Sequence, residues 1–96
     1  MSRGAGAAAA RRVTIINGRG LHARAAAKFA KLAGGFEAEV TVVRKDTAVS
    51  GCSIMGLMML GAAPGCELEL RAVGPAAADA IEALALLIAN RFDEER

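Results

Sequence analysis

The sequence predicts an α+β domain, one sheet covered on a single face by helices, and three observations carry that prediction. Phe36–Val42 and Glu67–Val73 alternate apolar and polar residues, the two-residue period of a strand with one wet face. Two longer stretches repeat apolar residues at three- and four-residue intervals, as helices with one buried stripe do. The elements follow in the order β-α-β-β-α-β-α, so strands that need cover on one face have three helices to supply it.

In chain order, residues 1–11 read as a low-complexity, disordered tail and residues 12–96 as one domain. The alanine run in the tail is too short for the core of a secretory signal. Val13-Thr14-Ile15-Ile16 is β-branched throughout and meets a turn signal at Asn17-Gly18, which predicts the first strand. From about His22 to Ala33, Ala26, Phe29, Ala30 and Ala33 make the buried stripe of a helix that stops at Gly34-Gly35. The second strand, Phe36–Val42, is apolar at its even positions, and Arg44-Lys45-Asp46 turns into a short third strand at Thr47–Ser50.

Ser53 is placed to cap a short helix, Ile54–Leu60, that ends at Gly61. Pro64-Gly65 is a turn, and in the fourth strand, Glu67–Val73, residues Leu68, Leu70 and Ala72 share a face. Gly74-Pro75 opens the last helix, whose stripe is Ala77, Ala80, Ile81, Leu84, Leu87 and Ile88. Its charged end, Asp93-Glu94-Glu95-Arg96, is expected to fray.

Composition narrows the function. The 54% hydrophobic content includes 23 alanines, so a core built from Leu, Ile, Val, Met and three Phe is modest. Twelve basic and ten acidic residues leave a net charge of +2, too balanced for a general nucleic-acid binder. Nothing approaches a membrane span. Cys52 and Cys66 are far apart, with no Cys-x-x-Cys and a single histidine in the chain, so no metal site and no cofactor is expected. With no secretory signal, both thiols are expected to be reduced, in a cytoplasm.

The chemistry concentrates in Gly20-Leu21-His22-Ala23-Arg24. A helix start carries unpartnered N–H groups and partial positive charge, and it binds anions, phosphate above all. Arg24 adds a guanidinium fork suited to phosphoryl oxygens. Neutral imidazole is a nucleophile, and helix-start charge disfavours the imidazolium. Taken alone, the pentapeptide also fits a solvated histidine beside a surface arginine. Lys28 and Lys31 share helical spacing with Arg24, and that cationic face is suited to an acidic partner.

A second stretch decides between these readings. Gly-Leu-His-Ala-Arg followed about 30 residues later by Ser53-Ile54-Met55-Gly56-Leu57-Met58 resembles the HPr family, histidine-containing phosphocarriers of the phosphoenolpyruvate-dependent phosphotransferase system. The resemblance covers about residues 12–92. It implies an open-faced β-sandwich, a four-stranded antiparallel sheet in order 1-4-2-3 with the helices on one side. It also implies a phosphoryl group on Nδ1 of His22, assisted by Arg24, and a regulatory phosphorylation site at Ser53 served by an HPr serine kinase/phosphorylase. The donor would be enzyme I, and the acceptors IIA-type domains or regulatory proteins.

Six large apolar residues among Ile54–Leu60 exceed what one helix face can bury, and methionine adapts to several partners. The resemblance places this patch beside the histidine, and Ile54, Met55 and Met58, with Leu21, Lys28 and Lys31, are expected to form the docking surface. Ala25 stands where the family commonly has proline, which resembles the regulatory, nitrogen-type branch more than the sugar-uptake carrier. Two other function classes fit a split β-α-β layout: an acylphosphatase-like hydrolase and a ligand-sensing or interaction domain of ACT type. No glycine-rich anion loop of the hydrolase kind is present.

Overall fold

Alternating strands and one-sided helices assemble as the periodicities require. The computed structural model describes residues 7–94. In chain order the elements are β1 (Ala8–Thr14), α1 (Ala23–Gly34), β2 (Glu39–Arg44), β3 (Thr47–Ser50), α2 (Ile54–Met59), β4 (Glu67–Val73) and α3 (Ala77–Ala89). The strands form one antiparallel sheet in the order β1-β4-β2-β3, the order implied by the resemblance. Val13 pairs with Leu68 and Val42 with Leu70, so a single face gathers Val40, Val42, Leu68, Leu70 and Ala72. Against it pack Ala26, Phe29, Ala30 and Ala33 of α1, Leu57 of α2, and Ala77, Ala80, Ile81, Leu84 and Ile88 of α3. None of the helices among the described residues is long and apolar enough to cross a membrane.

Several boundaries differ from the sequence expectation: β1 ends at Thr14 rather than Ile16 and β2 runs on to Arg44 rather than Val42, and three further differences lie at the starts of β1, β2 and α3. β1 begins at Ala8, so residues 8–11, expected in the tail, are strand and pair from Ala8↔Val73 to Arg11↔Leu70. The backbone groups along that edge of β4 need partners, and satisfying them outweighs the poor strand propensity of alanine. Residues 1–6 of the expected tail lie outside the described residues. β2 begins at Glu39 rather than Phe36 because the backbone between them is committed elsewhere: Phe36 N–H donates to Ala33 O (3.3 Å), Ala38 N–H to Phe36 O (2.8 Å), and Glu37 O accepts from Ala76 (3.0 Å).

Pro75 and Ala76 belong to the turn before α3. In α3 the buried stripe includes Ala85, while Leu87 is half-buried.

The largest difference is at the C-terminal end, which does not fray through Glu94. After α3 the chain makes a short 3-10 turn, Arg91–Asp93, of left-handed sense, with φ of 57° at Arg91, 55° at Phe92 and 65° at Asp93. Each such non-glycine residue costs on the order of 1–2 kcal/mol. Phe92 holds the turn by burying its ring completely, and Lys28 Nζ on α1 donates to Phe92 O at 2.8 Å.

Candidate functional site

His22 is the N-cap of α1, in extended conformation with φ −79° and ψ −179°. The first intrahelical bond runs from Ala26 N–H to His22 O at 2.8 Å, so the amides of Ala23, Arg24 and Ala25 precede it. These are the groups that give a helix start its affinity for anions. No acidic residue occupies the first turn to compete for them. The imidazole is partly exposed, at 21% of its side-chain surface.

Gly20 sets this geometry. Its φ of +66° is the left-handed region, and a Cβ there would lie 2.5 Å from Ala62 O. That close approach lets Leu21 N–H donate to Ala62 O at 2.9 Å, which ties the start of α1 to the loop after α2. Leu21 itself is in the core at 6% exposure, so its side chain has little surface to offer a partner, contrary to its expected docking role. Arg24 is exposed and has no ion-pair partner among the described residues. Ala25, at the position that differs from the family pattern, is fully buried. Of the two lysines expected at a docking face, Lys31 is exposed, whereas the ammonium of Lys28 is engaged by Phe92 O.

Two residues that sequence reasoning missed complete the site. The left-handed turn delivers Glu94 to His22, and the Glu94 carboxylate (Oε2) pairs with Nε2 of the imidazole. Its other oxygen, Oε1, accepts from Asn17 Nδ2 at 3.2 Å, and the same amide nitrogen donates to Gly20 O at 2.8 Å. Asn17 is the one buried polar residue among those described, at 1% exposure. The hydrogen bond to His22 holds the Glu94 carboxyl below the usual carboxylate range; burial opposes this, and the Asn17 bond and the electrostatic pull of the His22 and Arg19 side chains add to it. By sequence Asn17 reads only as a turn residue. The available signal was Phe92, an aromatic residue in a charged terminus, which marks a segment pinned to the core.

Ser53 caps α2: its Oγ accepts from Gly56 N–H at 2.9 Å. At the other end, Arg44 Nη1 donates to Leu60 O at 2.9 Å. Leu57 and Leu60 go into the core, while Ile54 (44%), Met55 (72%), Met58 (45%) and Met59 (76%) stay exposed. The helix thus presents an apolar face that extends to Met59, beyond the docking residues expected from sequence. Among the described residues no cluster of His, Cys, Asp and Glu could hold a metal ion, and Cys52 and Cys66 are free thiols.

The family model described as "PTS HPr component phosphorylation site" matches residues 9–90. The chain is similar to the phosphocarrier protein HPr of Pseudomonas putida, 52% identical over 86 residues that cover 88% of this chain and 96% of that one. It is also similar to the phosphocarrier protein NPr of Shewanella violacea, 44% identical over 84 residues covering 88% and 92%. The crystal structure of HPr from Thermoanaerobacter tengcongensis superposes with a TM-score of 0.87 at 39% identity, covering 92% of this chain and 99% of that one.

Proposed function

The chain belongs to the HPr family of phosphocarriers of the phosphotransferase system, relays of phosphoryl groups rather than enzymes, and from that premise we propose that His22 is the residue that carries the phosphoryl group. The observation that carries the reading is the position of this single histidine at the N-terminus of α1, beside three amides that precede the first helical bond. The phosphoryl group sits on Nδ1, since Nε2 is occupied by Glu94. A phosphorylated imidazole brings up to about −2 charge, which the helix start and Arg24 offset in part. The offset is deliberately modest in chemical terms: a carrier must release its cargo, and exposed donors hold an anion less tightly than a buried cage.

Enzyme I is the donor, and IIA-type domains or regulatory proteins are the acceptors. Ile54, Met55, Met58 and Met59 form the docking surface, with Lys31 and Arg24 at its cationic margin. Phosphorylation of Ser53 by an HPr kinase would place an anion at the start of α2, which favours it locally, and inside the docking surface, where it repels an acidic partner. Such a relay works in the cytoplasm. Similarity to both HPr and NPr proteins is compatible with sugar uptake and with nitrogen regulation, and Ala25 favours the regulatory branch.

The test is direct. Incubated with phosphoenolpyruvate and enzyme I, the protein should gain one phosphoryl group per chain that is lost in mild acid and survives alkali, as a phosphoramidate does, and should pass it to a IIA domain. His22→Ala should fold and gain none. Normal labelling of that variant, or an acid-stable product on the wild type, would overturn the reading.

A further inference from the structure

The carboxylate against His22 does more than cover it. An ionised carboxylate only accepts hydrogen bonds, so the Glu94 contact requires the proton of the neutral imidazole to be on Nε2. The lone pair is then on Nδ1. Glu94 is itself fixed in orientation, because the Asn17 amide must present its NH2 group to both Glu94 Oε1 (3.2 Å) and Gly20 O (2.8 Å). Turning that amide over would set its oxygen against two acceptors. The arrangement leaves Asn17 Oδ1 buried without a partner. An orphaned buried acceptor and three consecutive left-handed residues at Arg91, Phe92 and Asp93 are both costly, and both converge on holding Glu94 in place.

We propose that Glu94, oriented by Asn17, is a positioning residue of the phosphoryl-transfer site: its carboxylate keeps the proton on Nε2, presents Nδ1 for attack, and takes up the positive charge that develops on the ring. This rests on the reading of His22 as the phosphoryl carrier. In acceptance, the Nδ1 lone pair forms the N–P bond while the donor's own bond to phosphorus breaks, its electron pair staying with the donor. The ring becomes cationic, and the Nε2 proton stays shared with Glu94 instead of being lost to water. In release, the N–P bond breaks with its electron pair returning to Nδ1, which regenerates the neutral imidazole with Nε2 still protonated. One carboxylate therefore assists both directions, as the orienting carboxylate of a catalytic triad assists its histidine.

The charged groups on the elements packed around the pair are Arg19 in the loop before α1, Arg24 and Lys28 on α1, and Arg91 and Asp93 on the left-handed turn. Lys28 is committed to Phe92 O, so its role is to hold the turn and not to neutralise Glu94. That leaves the Glu94 carboxylate as the group that meets the ring charge directly.

The experiment compares wild type, Glu94→Ala and Glu94→Gln by nitrogen-15 NMR of the His22 ring and by transfer from phosphoenolpyruvate and enzyme I, then onward to a IIA domain. Wild type should show a downfield Nε2–H resonance protected from exchange, with Nδ1 unprotonated. Glu94→Ala should lose that resonance and slow transfer both to and from His22 by roughly ten- to a hundredfold, the value of one charge-assisted hydrogen bond at the transition state. Glu94→Gln should keep the resonance, because its amide oxygen can still accept, yet transfer more slowly than wild type for lack of charge. Acid hydrolysis of the phosphorylated forms adds a pH profile, which should move to lower pH when the carboxylate is removed. If both variants transfer within twofold of wild type in both directions, the positioning role is refuted while His22 remains the carrier. If wild type is never labelled on His22, the functional reading itself has failed, so the two failures are distinguishable.

Discussion

Ser53 combines two roles that a pair of substitutions can separate. α2 has only six residues, too few to be stable alone, and it carries no acidic residue in its first turn and no basic residue in its last. Its N-terminus depends on the single side-chain bond from Gly56 N–H to Ser53 Oγ, 2.9 Å long and partly buried. Ser53→Ala removes that bond and leaves the amide of Gly56 to whatever water reaches it. The expected cost is about 1 kcal/mol, within the range for lost caps, which for a domain of this size lowers the melting temperature by about 4–8 °C. The far end of α2 stays clamped by Arg44 on Leu60 O, so the helix should loosen at its start without detaching. Ser53→Asp, in contrast, still supplies a capping oxygen and adds negative charge where the helix dipole favours it, so its stability should remain within about 0.5 kcal/mol of wild type. Its charge lies among Ile54, Met55 and Met58, and phosphorylation by enzyme I should slow, most clearly at low salt. Thermal melts and single-turnover labelling read the two effects independently. An unchanged melting temperature for Ser53→Ala would refute the cap argument, and wild-type labelling of Ser53→Asp would confine Ser53 to a structural role.

Gly20→Ala places a Cβ 2.5 Å from Ala62 O at a φ of +66°, so it should cost about 1–2 kcal/mol from the left-handed backbone alone, with the clash added. Because the shift displaces the start of α1, transfer to His22 should slow as well, and a variant with unchanged stability and rate would contradict the geometry of that turn. The Glu94 carboxyl is held below its ordinary value of 4.5, so its contribution to stability is fully present above that pH and is lost as pH falls through the lower folded-state value. Urea denaturation of wild type and Glu94→Gln over a pH series should therefore show a gap that is constant near neutrality and closes in strong acid. A gap that persists there would mean that Glu94 is not held in its charged form.

What the sequence determined by itself follows rules that act within a few residues. The period of Phe36–Val42 and Glu67–Val73 chose which side chains face the helices, and Val40, Val42, Leu68 and Leu70 are indeed buried. Ser53 was legible as a cap because the capping bond spans three residues. His22 was legible as a helix start because Gly20 and the apolar stripe of α1 lie beside it in the chain. The excess of apolar residues in α2 was also visible, since a helix has only one face toward a sheet.

The tertiary structure alone decided the rest. The strand beginning at Ala8 exists because β4 offers an unpaired edge, a demand that alanine propensity does not record. Leu21 is buried where its backbone N–H is tied to Ala62 O in the loop after α2, and Lys28 is engaged because Phe92 O comes within reach. The carboxylate opposite the imidazole comes from 72 positions away. No local pattern specifies that encounter: it depends on where α3 ends against the sheet, on a left-handed turn held by the burial of Phe92 and by Lys28 on Phe92 O, and on an asparagine whose amide has two acceptors to satisfy.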